Sequence, residues 1–270
     1  MKTSLELLNQ IYKKRPENSH KGDFGKLLVV GGSREYTGAP ALVGLAALKS
    51  GCDLVYVASP KRAADIVASF SPNLITYPLQ GEHLDREHFK AIEKIQANAI
   101  VFGNGLGINS QKLCESMWKT KKPCVVDGDA LKFIERKLNR NFVLTPHAGE
   151  FGIMTGEKVS EDLESRKDLL KEYAKGAGCI VLLKGHVDLI SDGKEVWENR
   201  TGNPYMTKAG TGDVLAGICG AFLARGVGPF EATKAATFIS GAAGDLAAKK
   251  FGESLLATDI LEEIKNIINA

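Results

Sequence analysis

Apolar residues in this chain come in two spacings that alternate along its length. Short runs rich in Val, Ile, Leu and Phe at 26–30, 54–58, 99–102, 124–127, 142–144 and 179–183 are too brief for helices and lie between Gly, Pro, Asn and Asp, so they predict buried strands. Between and around them, 39–50, 61–70, 85–96, 111–119 and 161–175 carry the three-to-four-residue apolar period of helices. This alternation predicts an α/β fold with a mostly parallel central sheet covered by helices on both faces. Two further runs, 187–190 and 195–198, flank Ser191-Asp192-Gly193-Lys194, a turn signal that predicts a hairpin and an antiparallel edge. The stretches 213–224, 231–249 and 258–268 read as helix, and the charged segment 1–20 is helix-like. No linker, repeat or low-complexity tract divides the chain, so residues 1–270 are expected to form one domain.

Charge and cysteine content narrow the function classes. The 35 Lys and Arg against 32 Asp and Glu give a net charge of +3, and the basic residues are scattered, so a nucleic-acid partner is not expected. The Lys119–Lys122 cluster reads as a solvated helix end. Five cysteines without a C-x-x-C pair, mostly in apolar contexts, read as reduced core thiols of a cytosolic protein. The first twenty residues lack the apolar core of a signal peptide, and no run approaches a membrane span. A cytoplasmic protein is expected, with no membrane partner.

Ligands of open α/β sheets bind beyond the carboxyl ends of the strands, and every candidate motif falls there. In the 199–216 stretch a glycine-rich turn delivers a single carboxylate into an apolar helix. Gly210, Thr211 and Gly212 let the backbone approach a ligand closely, and the first helical turn would aim unpaired N–H groups with about +0.5 of a charge at it. Asp213 could be a helix cap. A cap requires no Gly-Thr-Gly approach, no preceding Thr201-Gly202-Asn203-Pro204 turn and no second glycine loop, so capping alone is the less favoured reading.

Other loops carry alternatives. Gly31-Gly32 to Pro40 follows the first strand without the G-x-G-x-x-G spacing of a dinucleotide fold, and its small residues Gly38, Ala39 and Ala41 leave room for close helix packing or for a bulky ligand. Gly103, Gly105 and Gly107 expose backbone that could hold a flat or phosphorylated ligand, where a plain strand-to-helix turn needs one glycine. His147 and Glu150, three apart, form either a capping box or part of a site at the same sheet edge. Lys184, before Gly185, is too costly to bury unpaired and should reach solvent or an anion. His186 is equally a loop residue or a contact.

With those motifs in view, the chain closely resembles the NAD(P)H-hydrate dehydratase family, a branch of the ribokinase-like superfamily, from His20 to the C-terminal helix. The resemblance rests on the 20–33 segment, Tyr36-Thr37-Gly38-Ala39, the small-residue stretch 46–51, the 103–107 glycine run, the 126–131 segment around Asp127-Gly128-Asp129, the 145–150 segment, Lys184-Gly185, and Asn203-Pro204 with Gly210 to Asp213. It implies a three-layer α/β/α ribokinase-like fold. It also implies an enzyme that repairs the S epimer of hydrated NADH and NADPH. ADP or ATP phosphorylates the ring hydroxyl, elimination of phosphate restores the double bond, and Mg²⁺ takes part. It places the hydrated cofactor near Ala39, Gly105, His147 and Asp213, with Asp213 as the general base. The adenine nucleotide is placed along Lys184, Gly185, His186, Val187 and Asp188 and at Gly210, Thr211 and Gly212. Glu150 falls where superfamily kinases keep a glutamate linked to Mg²⁺, and His147 replaces the usual asparagine there, which favours the dehydratase branch. Ala209 stands where the family often has Gly, tolerable if its φ stays negative.

Many family members carry an N-terminal epimerase domain; few residues precede the matched region here, so none is expected. A homotetramer is implied. The alternatives are a hydroxyethylthiazole- or hydroxymethylpyrimidine-type kinase of the same fold, and a non-catalytic adenine-nucleotide sensor, which would have no use for Asp213.

Overall fold

The computed structural model describes residues 2–134 and 137–269. Met1 of the helix-like N-terminal segment lies outside them; the rest begins with α1 (Lys2–Ile11). Among the described residues nine strands form one sheet: β1 (Lys26–Val30), β2 (Leu54–Pro60), β3 (Ile75–Leu79), β4 (Ala99–Phe102), β5 (Cys124–Val126), β6 (Phe142–Leu144), β7 (Ile180–Leu183), β8 (Asp188–Ser191) and β9 (Val196–Asn199). Their order is β3-β2-β1-β4-β5-β6-β7-β8-β9. All neighbours up to β7 are parallel, and β8 and β9 add the antiparallel edge.

The central strands β4 to β7, and β1 after Lys26, are apolar at every position because both faces are covered, and successive residues feed two different cores. Leu27 and Val29 of β1, Val101 of β4, Val125 of β5 and Val143 of β6 join the core formed with α2 (Ala39–Lys49), α8 (Thr211–Ala224), α9 (Pro229–Phe251) and α10 (Ala257–Ile268). Leu28, Val30, Phe102, Val126 and Leu144 point the other way, to a core shared with α4 (Phe89–Glu93), α5 (Gln111–Met117), α6 (Ala148–Thr155) and α7 (Leu163–Ala177). The remaining helix, α3 (Lys61–Phe70), packs on β2 and β3. This is the expected three-layer arrangement. All five cysteines are buried free thiols, and burial pushes Cys114, Cys179 and Cys219 up to about 12.

Several boundaries differ from the sequence reading for physical reasons. Strand β3 was not expected: it is an edge strand, largely exposed, and contains Pro78, so it shows neither an apolar run nor alternation. The helix expected at 85–96 is a short 3-10 turn, Arg86–His88, followed by α4. Asp85 there closes a capping box, its amide donating to His88 Nδ1. Helix α7 begins later than expected because Asp162 is its cap, accepting from the Ser165 amide. Helix α8 begins two residues earlier than expected, which changes the place of Asp213.

Candidate active site

The expected residues gather at the carboxyl ends of β1, β4, β5, β6 and β7, where α8 starts. Gly210 takes the N-cap position of α8 with φ +93, a conformation that suits glycine, and no side chain caps this helix. The Gly212 and Asp213 amides have no acceptor among the described residues, as expected of the first turn of a helix, an arrangement that suits an anion. Among the described residues no non-glycine has positive φ, so Ala209 meets the condition set for it.

Asp213 is not a cap. It is the third residue of α8, and its Oδ1 turns away from the helix amides to accept a hydrogen bond of 2.7 Å from Asn104 Nδ2. The same Asn104 nitrogen donates to Asp127 Oδ2 at 2.8 Å. Asp127 Oδ1 in turn accepts from Thr145 Oγ1 at 2.7 Å and from Lys184 Nζ at 2.9 Å. Two carboxylates, one ammonium, one amide and one hydroxyl thus form a single network across the ends of β4, β5, β6 and β7.

Burial divides the two carboxylates into different roles. Burial alone would raise Asp127, but the Lys184 ammonium and the Thr145 hydroxyl hold it below the ordinary carboxylate range, so it stays ionised. Burial tends to lower Lys184, and the charges of Asp127, Glu150 and Asp213 outweigh it and raise the ammonium. Asp213 has no such lock. Burial and the neighbouring Asp127 charge push it up to about 7, only partly offset by Asn104 and Lys184. One carboxylate is a fixed charge and the other is poised to exchange a proton near neutral pH.

The other expected residues fall into four groups. Ala39, at the start of α2, and Gly105, after β4, are neighbours, since a Cβ on Gly105 would lie 3.3 Å from that of Ala39. A methyl on Gly212 would sit 3.4 Å from Lys184 Nζ and 3.8 Å from Asp127 Oδ2, so the turn lies directly over the ion pair. Lys184, expected to reach solvent or an anion, is paired with the Asp127 carboxylate beneath this turn. Gly185 to Asp188 form the β7–β8 turn, in which the Gly185 amide donates to Asp188 Oδ1 at 2.9 Å and Asn199 Nδ2 to Oδ2 at 3.2 Å. Burial raises Asp188, and its carboxyl serves its own turn. Val187 is buried and His186 is exposed.

His147 and Glu150 adopt the capping box. His147 Nδ1 accepts from the Gly149 and Glu150 amides, and Glu150 Oε2 accepts from the His147 amide at 2.9 Å. The cap does not remove His147 from the site edge: its backbone bridges Lys184, and 60% of its side chain remains exposed. Among the described residues no three His, Cys, Asp or Glu side chains are grouped to enclose a metal. A cavity of about 390 Å³ lined by Leu131, Ile153, Met154 and Tyr173 lies apart from this network and contains none of its polar groups.

Sequence reasoning missed Asn104, Asp127 and Thr145 as site residues. Asn104 was hidden in a run read for its glycines. Asp127 did leave a signal, because a carboxylate closing the buried strand Cys124-Val125-Val126 has to be paired.

Comparison with known proteins identifies the family and the fold. A family model described as NAD(P)H-hydrate dehydratase matches residues 27–266. A bifunctional NAD(P)H-hydrate repair enzyme Nnr of Pyrobaculum aerophilum is 40% identical over 94% of this chain, which spans 52% of that protein. The chain thus spans about half the length of the bifunctional relatives. An ADP-dependent (S)-NAD(P)H-hydrate dehydratase of Nitrosopumilus maritimus is 38% identical over 97% of this chain and 94% of its own length. The crystal structure of the ADP/ATP-dependent NAD(P)H-hydrate dehydratase of Bacillus subtilis, co-crystallised with ATP/Mg²⁺, superposes with a TM-score of 0.83 and 27% identity over 97% of this chain and 96% of that one. The fold is ribokinase-like. With the family model covering nearly the whole sheet and every element that carries the Asp213 network, the chain belongs to the NAD(P)H-hydrate dehydratase family.

Proposed function

We propose that the protein dehydrates the S epimer of hydrated NADH and NADPH back to NADH and NADPH, converting ADP to AMP and phosphate, or ATP to ADP and phosphate. One observation carries the reading: Asp213, near pKa 7, sits in the first turn of an uncapped helix whose free amides and the Lys184 ammonium surround the place for a phosphoryl group. Its Oδ2 has no hydrogen bond among the described residues and is free to accept a proton.

In this reading Asp213 Oδ2 takes the proton of the ring hydroxyl as that oxygen attacks the terminal phosphorus of the nucleotide, and AMP or ADP departs. The Gly212 and Asp213 amides and Lys184 balance the charge that builds on the phosphoryl oxygens. Phosphate then leaves the ring carbon as the ring nitrogen pushes its electron pair inward, and loss of a proton from the adjacent carbon restores the double bond. Ala39 and Gly105 flank the hydrated ring, His147 lies at its edge, and Lys184 to Asp188 with Gly210 to Gly212 receive the nucleotide.

Mg²⁺ keeps several waters and needs one or two carboxylates beside phosphate. Glu150 fits an indirect hold: it acts on Lys184 electrostatically, and its Oε1 has no hydrogen bond among the described residues. When bound, the ion supplies further charge neutralisation at the phosphates. Residues 1–270 act in this reading as one dehydratase domain, of which the family model matches 27–266.

The test is to incubate the protein with hydrated NADH, with and without ADP or ATP and Mg²⁺, and follow reduced-nicotinamide absorbance and phosphate together. Recovery that needs nucleotide, with one phosphate per NADH, is expected. Equally fast recovery without nucleotide overturns the mechanism, and accumulation of a stable phosphorylated thiazole or pyrimidine alcohol assigns the chain to kinase chemistry.

A further inference from the structure

Asn104 is 1% exposed and directs its Nδ2 at two carboxylates, one from the end of β5 and one from α8. Its own carbonyl oxygen, Oδ1, is buried with no partner. An orphaned buried acceptor is destabilising, so the geometry favours an asparagine here for its two donor hydrogens. Two carboxylates this close, with nothing between them, would share one proton, and neither would be a defined base.

We propose that Asn104 and Asp127 are positioning residues for Asp213: Lys184 and Thr145 fix Asp127, Asp127 anchors the Asn104 amide, and that amide pins Asp213 Oδ1 so that Oδ2 alone faces the Gly210–Gly212 turn. This rests on the reading of Asp213 as the base of the dehydratase. It adds that the base is held through a chain of contacts outside the substrate. A Cβ on Gly210 would lie 4.0 Å from Asp213 Oδ2, which puts that oxygen beside the turn. A side chain at Gly103, whose φ is +118, would run into the Asp127 carbonyl, so the strand end that aims Asn104 is itself packed against the residue that anchors it.

The charged groups that could compete are accounted for. Asp127 from β5 and Lys184 from β7 act on Asp213 directly, and Glu150 at the start of α6 acts on Lys184. Lys208, ahead of α8, is engaged by the Glu253 carbonyl, and Asp259, in the first turn of α10, by the Leu256 amide.

The test reads Asp213 without any substrate. Carboxyl carbon-13 titration of the full chain follows Asp213 in the parent, in Asp127→Asn and in Asn104→Leu, with Asn104→Ser as a milder variant that keeps one donor should Asn104→Leu not fold. Asp127→Asn removes the like charge and should lower the Asp213 midpoint by about one pH unit or more; Asn104→Leu should raise it, with Asn104→Ser in between. At saturating nucleotide the acid limb of kcat should move the same way in each variant, and in the Asn104 variants KM for the nucleotide should stay nearly unchanged. A midpoint that moves in neither variant, or in the same direction in both, overturns the proposal. Midpoints that move as expected in a protein that shows no dehydration would leave the positioning network standing and remove the proposed function.

Discussion

Lys184 and Asp127, 57 residues apart in sequence, meet with Nζ 2.9 Å from Oδ1 at the ends of two strands of the same sheet. Asp127 is only 4% exposed, so the ammonium is the main reason its charge can be kept there. Lys184→Met should leave that carboxylate buried without its partner and lower stability by about 3–5 kcal/mol. Adding Asp127→Asn removes the orphaned charge, and most of the loss should return. Urea melts of the two single variants and the double variant check this. Additive losses in the double variant would mean that the pair is not coupled.

The sheet was legible because its strands are buried on both faces and bounded by turn residues, so continuous apolar runs such as Leu27 to Val30 mark themselves. Edge strand β3 was not legible, since Ile75 and Tyr77 are exposed and Pro78 interrupts the run. The glycine turn, Asp213 and Lys184 could be read as local chemistry. Their mutual geometry could not. Asn104 connects residues 23 and 109 positions away, a relation that only strand order creates. The capping box at His147 and Glu150 was equally readable, yet the bridge from His147 to Lys184 depends on the parallel alignment of β6 and β7.

Because His147 caps α6 through Nδ1, replacing it by alanine would mix a lost cap, typically about 1 kcal/mol, with any lost ligand contact. His147→Asn separates the two, since asparagine caps well and lacks the ring. It should keep the melting temperature and ADP affinity while weakening NADPH binding. Calorimetric titration with each ligand decides, and equal losses for both would mean that His147 does not belong to the cofactor side.

Gly212 offers a cleaner probe of the anion site. Its φ is not positive, and an added methyl would make ordinary contacts with Lys184 Nζ at 3.4 Å and Asp127 Oδ2 at 3.8 Å. Alanine is also the better helix former by about 0.8–1.0 kcal/mol in a helix interior. Gly212→Ala should therefore melt no lower than the parent protein. The methyl nevertheless occupies the approach to the ammonium and the free amides, so ADP affinity should fall at least tenfold. Unchanged affinity would place the phosphates elsewhere.

Asp213→Asn tests the base through activity and through stability. The asparagine Oδ1 can still accept from Asn104, so the network should persist, while proton uptake is lost; removing a general base costs about 10² to 10⁴ in rate. The stability effect follows from the Asp213 carboxyl being pushed from 3.8 up to about 7 in the folded protein. A carboxyl raised in this way favours the fold while protonated, and that contribution is lost as pH climbs from about 4 to about 7. Above pH 7 the parent must keep an ionised, largely buried carboxylate beside Asp127, at a cost of up to roughly 4 kcal/mol at 1.36 kcal/mol per unit. Asparagine carries no such charge. The variant should therefore match the parent in denaturant stability near pH 4 and exceed it increasingly up to pH 7, with a constant margin beyond. Denaturation curves at several pH values, with turnover measured on the same preparations, give both readouts. A variant that is inactive and less stable than the parent at pH 8 would show that Asp213 supports the fold as an anion and would remove the case for it as a base.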